Sequence, residues 1–171
     1  MRTTSFKSRA FALVSTTALL ATLVVASPAN AAATGPTCDG KTPIQTCTGT
    51  TSDGAAYKMV IPATFNGTVT IWSHGFGGNT TIPGYFAVDS TAQIAPNGPG
   101  ENGGSPVAIK HLTDKGVALI GSGFSTQGWN LDEAIKANVE LVGIFKAKFT
   151  TTKKVVAWGY SMGGGITQAF A

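Results

Sequence analysis

Cysteine, histidine and charged side chains are all scarce in this sequence. The 171 residues include two cysteines and two histidines, and 12% of the residues are charged. Two thiols without a nearby histidine are too few ligands for a zinc site, and we expect no metal and no cofactor. The formal net charge is +4, but Arg2, Lys7 and Arg9 lie in a segment that we expect to be removed. Nine basic and eight acidic residues then remain, and this balance gives no basis for binding nucleic acid or an anionic membrane.

The first 31 residues have the pattern of a secretory signal peptide. A positively charged start precedes the largely apolar run 10–26, and residues 29–31 (ANA) fit a small-x-small cleavage site. A membrane anchor is the alternative, but the run is marginal in length for a bilayer and contains several Ser and Thr residues. We therefore expect cleavage after Ala31, a secreted protein, and no stable membrane anchor.

Both cysteines, Cys38 and Cys47, lie close to the predicted mature N-terminus. In an exported chain we expect them to form a disulfide, and free thiols are the alternative. Closing a loop of about ten residues would stabilise the fold by about 2.5–3 kcal/mol in a loop-entropy model. Residues 32–55 are rich in Gly, Thr and Pro without periodicity, so we interpret them as an irregular segment pinned by this disulfide.

Short apolar and β-branched runs predict four strands in residues 56–171. The runs are 57–61, 69–72, 117–120 and 155–158. The pair Asn66-Gly67 predicts that the first two strands form a hairpin, and the continuous apolar character of the last two is typical of buried parallel strands. Residues 79–106 are expected to form a long connection with a short helix near 85–94.

Helices are predicted after each of the last two strands. Asn130 and Glu133 have capping-box spacing, and a second helix begins at Ser161. The first helix should present one apolar face, formed by Leu131, Ile135, Val139, Val142, Phe145 and Phe149. Strands alternating with helices predict an α/β fold with a mostly parallel sheet flanked by helices.

Residues 159–163 read GYSMG and match the pattern G-x-S-x-G. The pattern alone is weak in a chain with 22 glycines, but it lies between a predicted buried strand and a helix, as a nucleophile elbow requires. Gly159 and Gly163 would remove side chains that clash in the tight turn, and Ser161 would be the nucleophile. The alternative is that Ser161 only caps the helix.

A second motif, HGFGG at 74–78, follows the predicted strand 69–72. In an elbow enzyme, one oxyanion-hole N–H comes from the residue after the serine, here Met162, and another from the loop after an earlier strand, here Phe76. His74 and Gly75 would support this loop. A merely flexible loop is the alternative, but two such motifs, each at the end of a strand, favour the catalytic interpretation.

These motifs, together with GSGFS at 121–125, resemble the α/β-hydrolase superfamily. More narrowly, the chain is similar to secreted bacterial hydrolases of the esterase, lipase and prolyl-oligopeptidase-like type over about residues 55–171. The resemblance implies an α/β-hydrolase fold, a small-molecule ester or amide substrate, and an acyl-enzyme formed on Ser161.

The chain departs from this family in one respect. Family members carry their acid and histidine after the serine, whereas ten residues follow Ser161 and none is Asp, Glu or His. We expect His74 to support the oxyanion loop and His111 to lie on the surface. The expected chain is thus the N-terminal part of a hydrolase domain, truncated after the elbow helix and inactive alone, with the strand 155–158 at a sheet edge.

Three functions stay open at this point. A carboxylic-ester hydrolase is favoured, and a serine peptidase of the prolyl-oligopeptidase-like type is an alternative because fold does not decide the substrate. The other alternative is a non-catalytic relative, or an inactive fragment, that binds through the same pocket.

Overall fold

The computed structural model describes residues 33–76, 92–96, 105–126 and 128–171. The predicted signal peptide and most of the predicted long connection lie outside the described residues. Of the short helix predicted near 85–94, only residues 92–94 are described, and they are not helical. The elements are β1 (Thr34–Cys38), β2 (Ile44–Thr50), β3 (Ala56–Pro62), β4 (Thr68–Ser73), α1 (Pro106–Asp114), β5 (Ala118–Ser122), α2 (Leu131–Lys148), β6 (Lys154–Gly159) and α3 (Met162–Phe170). None of these helices is long and apolar enough to cross a membrane.

The strands form one mixed sheet in the order β1-β2-β3-β5-β4-β6. This sheet with its helices confirms the predicted α/β class. Parallel pairing is confined to β5, β4 and β6, so the prediction of a mostly parallel sheet holds only for this part. The strands β1, β2, β3 and β5 pair antiparallel in turn.

The predicted hairpin of β3 and β4 is wrong, because β5 lies between these two strands. The turn before β4 instead contacts the turn that leads into β5. The backbone N–H of Asn66 donates to the Gly116 carbonyl oxygen at 2.9 Å, and the Asn66 side chain donates to the Lys115 carbonyl oxygen at 2.8 Å. The chain bends at Gly67, where the Thr68 N–H donates to Asn66 Oδ1 at 2.8 Å, and this bend anchors a crossover rather than a two-residue hairpin.

Two strands replace the irregular segment predicted for residues 32–55. The strand β2 pairs along its whole length with β3, from Ile44 to Thr50, and β1 continues the sheet beyond β2. Cys38 lies opposite Cys47 in this pairing, and the predicted disulfide joins them. Ile44 and the three threonines of β2 favour a strand, but the Gly and Pro residues around them obscure this signal in the composition of the segment.

Helices cover both faces of the sheet. The helices α2 and α3 pack on one face, where Phe145 of α2 joins the main core with Ile71 and Ile120. Leu119 faces the other way, as expected for its neighbour in a strand, and packs with residues 92–96 and α1. The helix α1 was not predicted, although Ser105 followed by Pro106 is a recognisable helix start.

The helix α2 begins directly after Asn130, as predicted, but its N-terminal cap and its buried face differ from the prediction. The Asn130 side chain makes no capping hydrogen bond and donates to Thr126 instead, so the predicted capping box with Glu133 is wrong. Val139, predicted to be on the apolar face, is 57% exposed. Val142 and Phe145 of the predicted face are buried, and the buried face also contains Ala134, Ala137, Asn138 and Leu141.

The strand β6 lies at the edge of the sheet within the described part of the chain, as predicted. Its one neighbour there is β4, with which it pairs in parallel from Thr68 opposite Lys154 to Ser73 opposite Gly159. This register brings the carboxyl ends of β4 and β6 side by side.

Candidate active site

Ser161 lies between the last residue of β6, Gly159, and the first residue of α3, Met162. Its backbone has φ 56° and ψ −125°, a conformation that non-glycine residues rarely adopt. Its side chain is exposed and makes no capping hydrogen bond to α3. Ser161 therefore does not act as a conventional N-cap, and its hydroxyl is held in solvent at a strained strand-to-helix turn.

Two glycines allow this turn because no side chain fits at either position. A Cβ atom on Gly159 would lie 2.2 Å from the carbonyl oxygen of Gly163, and one on Gly163 would lie 2.0 Å from the carbonyl oxygen of Ser73. Both distances are well inside van der Waals contact. The glycines of the G-x-S-x-G pattern thus let β6, α3 and the end of β4 approach one another.

The loop after β4 passes next to Ser161. A Cβ atom on Gly75 would lie 3.3 Å from the Cβ atom of Ser161, which places the backbone at Gly75 in contact with the serine. Phe76 follows with a half-exposed side chain, and Met162 is buried at the first position of α3. The two predicted oxyanion residues therefore lie on the two backbone segments that flank Ser161.

His74 is buried beneath this loop and interacts with backbone atoms. Its Nδ1 lies 2.8 Å from the Gly75 carbonyl oxygen, it also hydrogen-bonds the backbone of Gly123, and its ring stacks on Phe124 with 4.2 Å between centroids. Burial lowers the pKa of His74 more than the hydrogen bonds to Gly75 and Gly123 raise it. These contacts fit the supporting role expected for His74.

Phe124 is a second strained residue at the same edge of the sheet. It follows β5 with φ 56°, and its N–H donates to Ser122 Oγ at 3.0 Å. The segment belongs to the family resemblance, but the sequence alone predicts no role for Phe124, because a positive φ at phenylalanine has no sequence signature. Strain of this kind persists where surrounding contacts impose it, and it concentrates at functional sites.

Asn138 of α2 forms a buried hydrogen bond with the end of β4, next to the candidate site. The sequence alone did not indicate this role. The Asn138 Nδ2 atom donates to Ser73 Oγ at 2.9 Å, and both residues are almost fully buried. This hydrogen bond joins α2 to the last residue of β4, immediately before His74. The available signal was a polar residue among apolar ones in the middle of a helix.

A pocket of about 510 Å³ opens beside the turn. Its described lining comes from the carboxyl ends of β4 and β6, the elbow, and the segment before α1: Trp72, Gly75, Gln93, Pro96, Trp158, Gly159 and Tyr160. Gly75 and Gly159 are shared with the surroundings of Ser161, so the pocket adjoins the candidate nucleophile.

His111 is exposed on α1, as predicted. Neither histidine forms a hydrogen bond with Ser161 in the described part of the chain. Across those same residues, no group of three His, Cys, Asp or Glu side chains is placed to hold a metal ion.

Comparisons with protein-family models, curated proteins and solved structures found no match to this chain. Functional assignment therefore rests on the local geometry. That geometry places an exposed serine hydroxyl at the start of a helix, beside a glycine-containing loop and a pocket. It is suited to a nucleophile whose reaction develops negative charge next to backbone N–H groups.

Proposed function

We propose that this protein is a secreted serine hydrolase of the α/β-hydrolase kind that cleaves carboxylic esters through an acyl-enzyme on Ser161. The observation that carries the proposal is the backbone of Ser161, with φ 56° between a strand and a helix. Nothing in a merely structural helix start requires that strain. The pattern of the N-terminal 31 residues and the Cys38–Cys47 disulfide support secretion.

In the proposed reaction, Ser161 Oγ attacks the substrate carbonyl carbon and forms a tetrahedral intermediate. Its oxyanion accepts hydrogen bonds from the backbone N–H groups of Met162 and Phe76, and the N-terminus of α3 adds a favourable dipole. Collapse of the intermediate breaks the bond between the carbonyl carbon and the leaving oxygen, which takes up the proton released by Ser161 and departs as the alcohol, and the acyl group stays on Ser161. Water then attacks this ester and releases the acid.

Attack by Ser161 needs a base that accepts its proton. His74 is engaged with the backbones of Gly75 and Gly123, so we do not assign it that role. We therefore expect slow acylation of Ser161 in this chain.

The second candidate is a non-catalytic relative that binds ligands through the same pocket. It is favoured by one observation, that neither histidine hydrogen-bonds Ser161 in the described ranges. The pocket and the exposed serine would then serve recognition only.

Labelling with a fluorophosphonate probe separates the two candidates. We expect slow, saturable labelling that maps to the peptide containing Ser161 and disappears in Ser161→Ala. Ser125→Ala is the matched control, because Ser125 is a serine whose hydroxyl donates to Asp53 at 2.7 Å, and its labelling should equal that of the unmodified chain. Labelling that survives Ser161→Ala contradicts the hydrolase proposal, and a complete lack of labelling favours the non-catalytic candidate.

A further inference from the structure

The pocket beside Ser161 has the size and position of a substrate subsite. Its volume of about 510 Å³ lies within the range of small-molecule sites, about 300–1,000 Å³. Tyr160 and Gly159, which line it, immediately precede Ser161, and Gly75 lies against the serine. A molecule that fills the pocket would therefore place one of its ends next to the serine hydroxyl.

Two indole rings form a wall of this pocket. Trp72 of β4 and Trp158 of β6 are directly opposite in the parallel pairing, and their rings meet edge to face with 4.9 Å between centroids. Both indole nitrogens are buried and lack a hydrogen-bond partner among the described residues. The accessible part of each ring is therefore carbon, which suits an apolar ligand and especially an aromatic ring that can stack or meet an edge.

Charge is missing from the lining that the structure describes. The polar side chains that contribute to it are Gln93 and Tyr160, and none of the lining residues is Asp, Glu, Lys, Arg or His. A carboxylate or ammonium group placed here would lose hydration without gaining an opposite charge, which is costly. The pocket should therefore discriminate against charged ligands.

Exposed aromatic side chains extend the apolar surface around the serine. Tyr160 is 72% exposed, and Phe76 and Trp129 are also exposed, with 6.5 Å between the ring centroids of the latter two. These three are the exposed aromatic residues of the described ranges. Their placement at one site, rather than scattered over the surface, is typical of a ligand-binding region.

We propose that the pocket lined by Trp72, Trp158 and Tyr160 binds uncharged esters that carry an aromatic ring near the carbonyl group. The ring occupies the space between the indoles and Tyr160, and the carbonyl group extends past Gly75 toward Ser161. The inference rests on the proposed function for the identity of the reacting group, but the binding preference itself is independent of catalysis.

Binding is measured in the Ser161→Ala protein, in which an ester ligand is not consumed through the serine. The ligands are methyl 3-phenylpropanoate and its charged analogue, methyl 3-(4-carboxyphenyl)propanoate. They are titrated by intrinsic tryptophan fluorescence, with saturation-transfer NMR as a second readout. We expect the neutral ester to bind at least tenfold more tightly than the charged one at pH 7.

Additional variants on this background locate the binding site. Tyr160→Ala should weaken binding of the neutral ester about fivefold, and it is expected to fold because Tyr160 is largely exposed. Gln93→Lys places a cation in the pocket and should reduce the preference for the neutral ester at least tenfold. Val107→Ala, at an exposed position of α1 that does not line the pocket, is the matched control and should leave both affinities unchanged.

Equal affinity for the two esters, no saturable binding, or no effect of Tyr160→Ala and Gln93→Lys would each overturn the inference. If Ser161 is nevertheless labelled by the fluorophosphonate, the hydrolase proposal stands and only the assignment of the substrate class fails. If the protein binds the neutral ester selectively but Ser161 is never labelled, the assigned binding preference stands and the hydrolase proposal fails.

Discussion

The side-chain amide of Asn138 donates a hydrogen bond to the hydroxyl of Ser73, 2.9 Å away in the interior of the protein. Ser73 is the last residue of β4, and its carbonyl oxygen is the atom against which Gly163 packs. The contact thus holds α2, the loop that begins at His74 and the start of α3 in one arrangement. The candidate site depends on a helix that contributes no residue to the proposed chemistry.

Removal of this hydrogen bond should destabilise the fold. We expect Asn138→Ala to lower the free energy of unfolding by about 1–3 kcal/mol, because it leaves the buried Ser73 hydroxyl without its partner. The double variant with Ser73→Ala should lose less than the sum of the single changes, by about 1 kcal/mol. Urea denaturation measures both quantities. Val139→Ala is the control, since Val139 is 57% exposed and its replacement should change stability by less than about 0.5 kcal/mol. Strictly additive losses from Asn138→Ala and Ser73→Ala would argue against a direct coupling of the two side chains.

Replacing Gly159 with alanine should destabilise the fold, whereas replacing Gly164 with alanine should stabilise it. Gly159→Ala forces a Cβ to within 2.2 Å of a backbone oxygen, so we expect a loss of about 1–3 kcal/mol or more and no fluorophosphonate labelling. A Cβ on Gly164 would be 4.0 Å from its nearest neighbour, and alanine inside α3 should stabilise the fold by about 0.5–1 kcal/mol. Thermal unfolding and probe labelling of the two variants test this pair, and equal stability of the two variants would contradict the elbow geometry.

Glycine at position 161 should be more stable than alanine. Glycine adopts positive φ without a steric penalty, whereas alanine keeps the strain that Ser161 carries at φ 56°. We expect Ser161→Gly to exceed Ser161→Ala in unfolding free energy by about 1 kcal/mol after allowance for the greater chain entropy of glycine. Both variants lack the hydroxyl, so the difference between their free energies of unfolding reports the backbone strain at position 161. An alanine variant that is the more stable of the two would show that the turn is unstrained.

Stability should fall as the pH is lowered from 7 toward 5, because of His74. Its folded-state pKa lies below the ordinary value of 6.5, chiefly through burial, so the unfolded chain takes up a proton more readily. The stability that unprotonated His74 contributes is fully present above about pH 6.5 and is lost as the pH falls toward the folded-state pKa. Denaturation between pH 5 and 8 should show this slope in the unmodified chain and in His111→Gln, but a flatter profile in His74→Gln. An unchanged slope in His74→Gln would assign the effect to other groups.

The elements nearest the site were the most predictable from the sequence. The strands β3, β4, β5 and β6 were located to within about two residues, because short apolar runs that end at glycine or turn residues are typical of buried strands. Ser161 was located at the strand-to-helix turn because its two flanking glycines leave a pattern in the sequence. The disulfide was predicted from the expected export of the chain and from its two cysteines.

Features that depend on distant contacts were not predictable. The order of the strands is one example, because an Asn-Gly turn suits a hairpin as well as the crossover that Asn66 makes through Lys115 and Gly116. The buried face of α2 is another, since Val139 has the right spacing but Asn138 lies inward to meet Ser73. The pocket is the third, because Trp72 and Trp158 are 86 positions apart in the sequence and only the pairing of β4 with β6 brings them together.

The edge-to-face contact of Trp72 and Trp158 also has an optical consequence. Two indoles fixed 4.9 Å apart at an angle of 69° behave as a coupled chromophore and should produce a paired positive and negative band in the circular dichroism spectrum. The rings meet only while β4 and β6 are aligned, and these strands lead into the loop at His74 and the turn at Ser161. The amplitude of this pair of bands therefore reports whether the two segments of the proposed site are assembled.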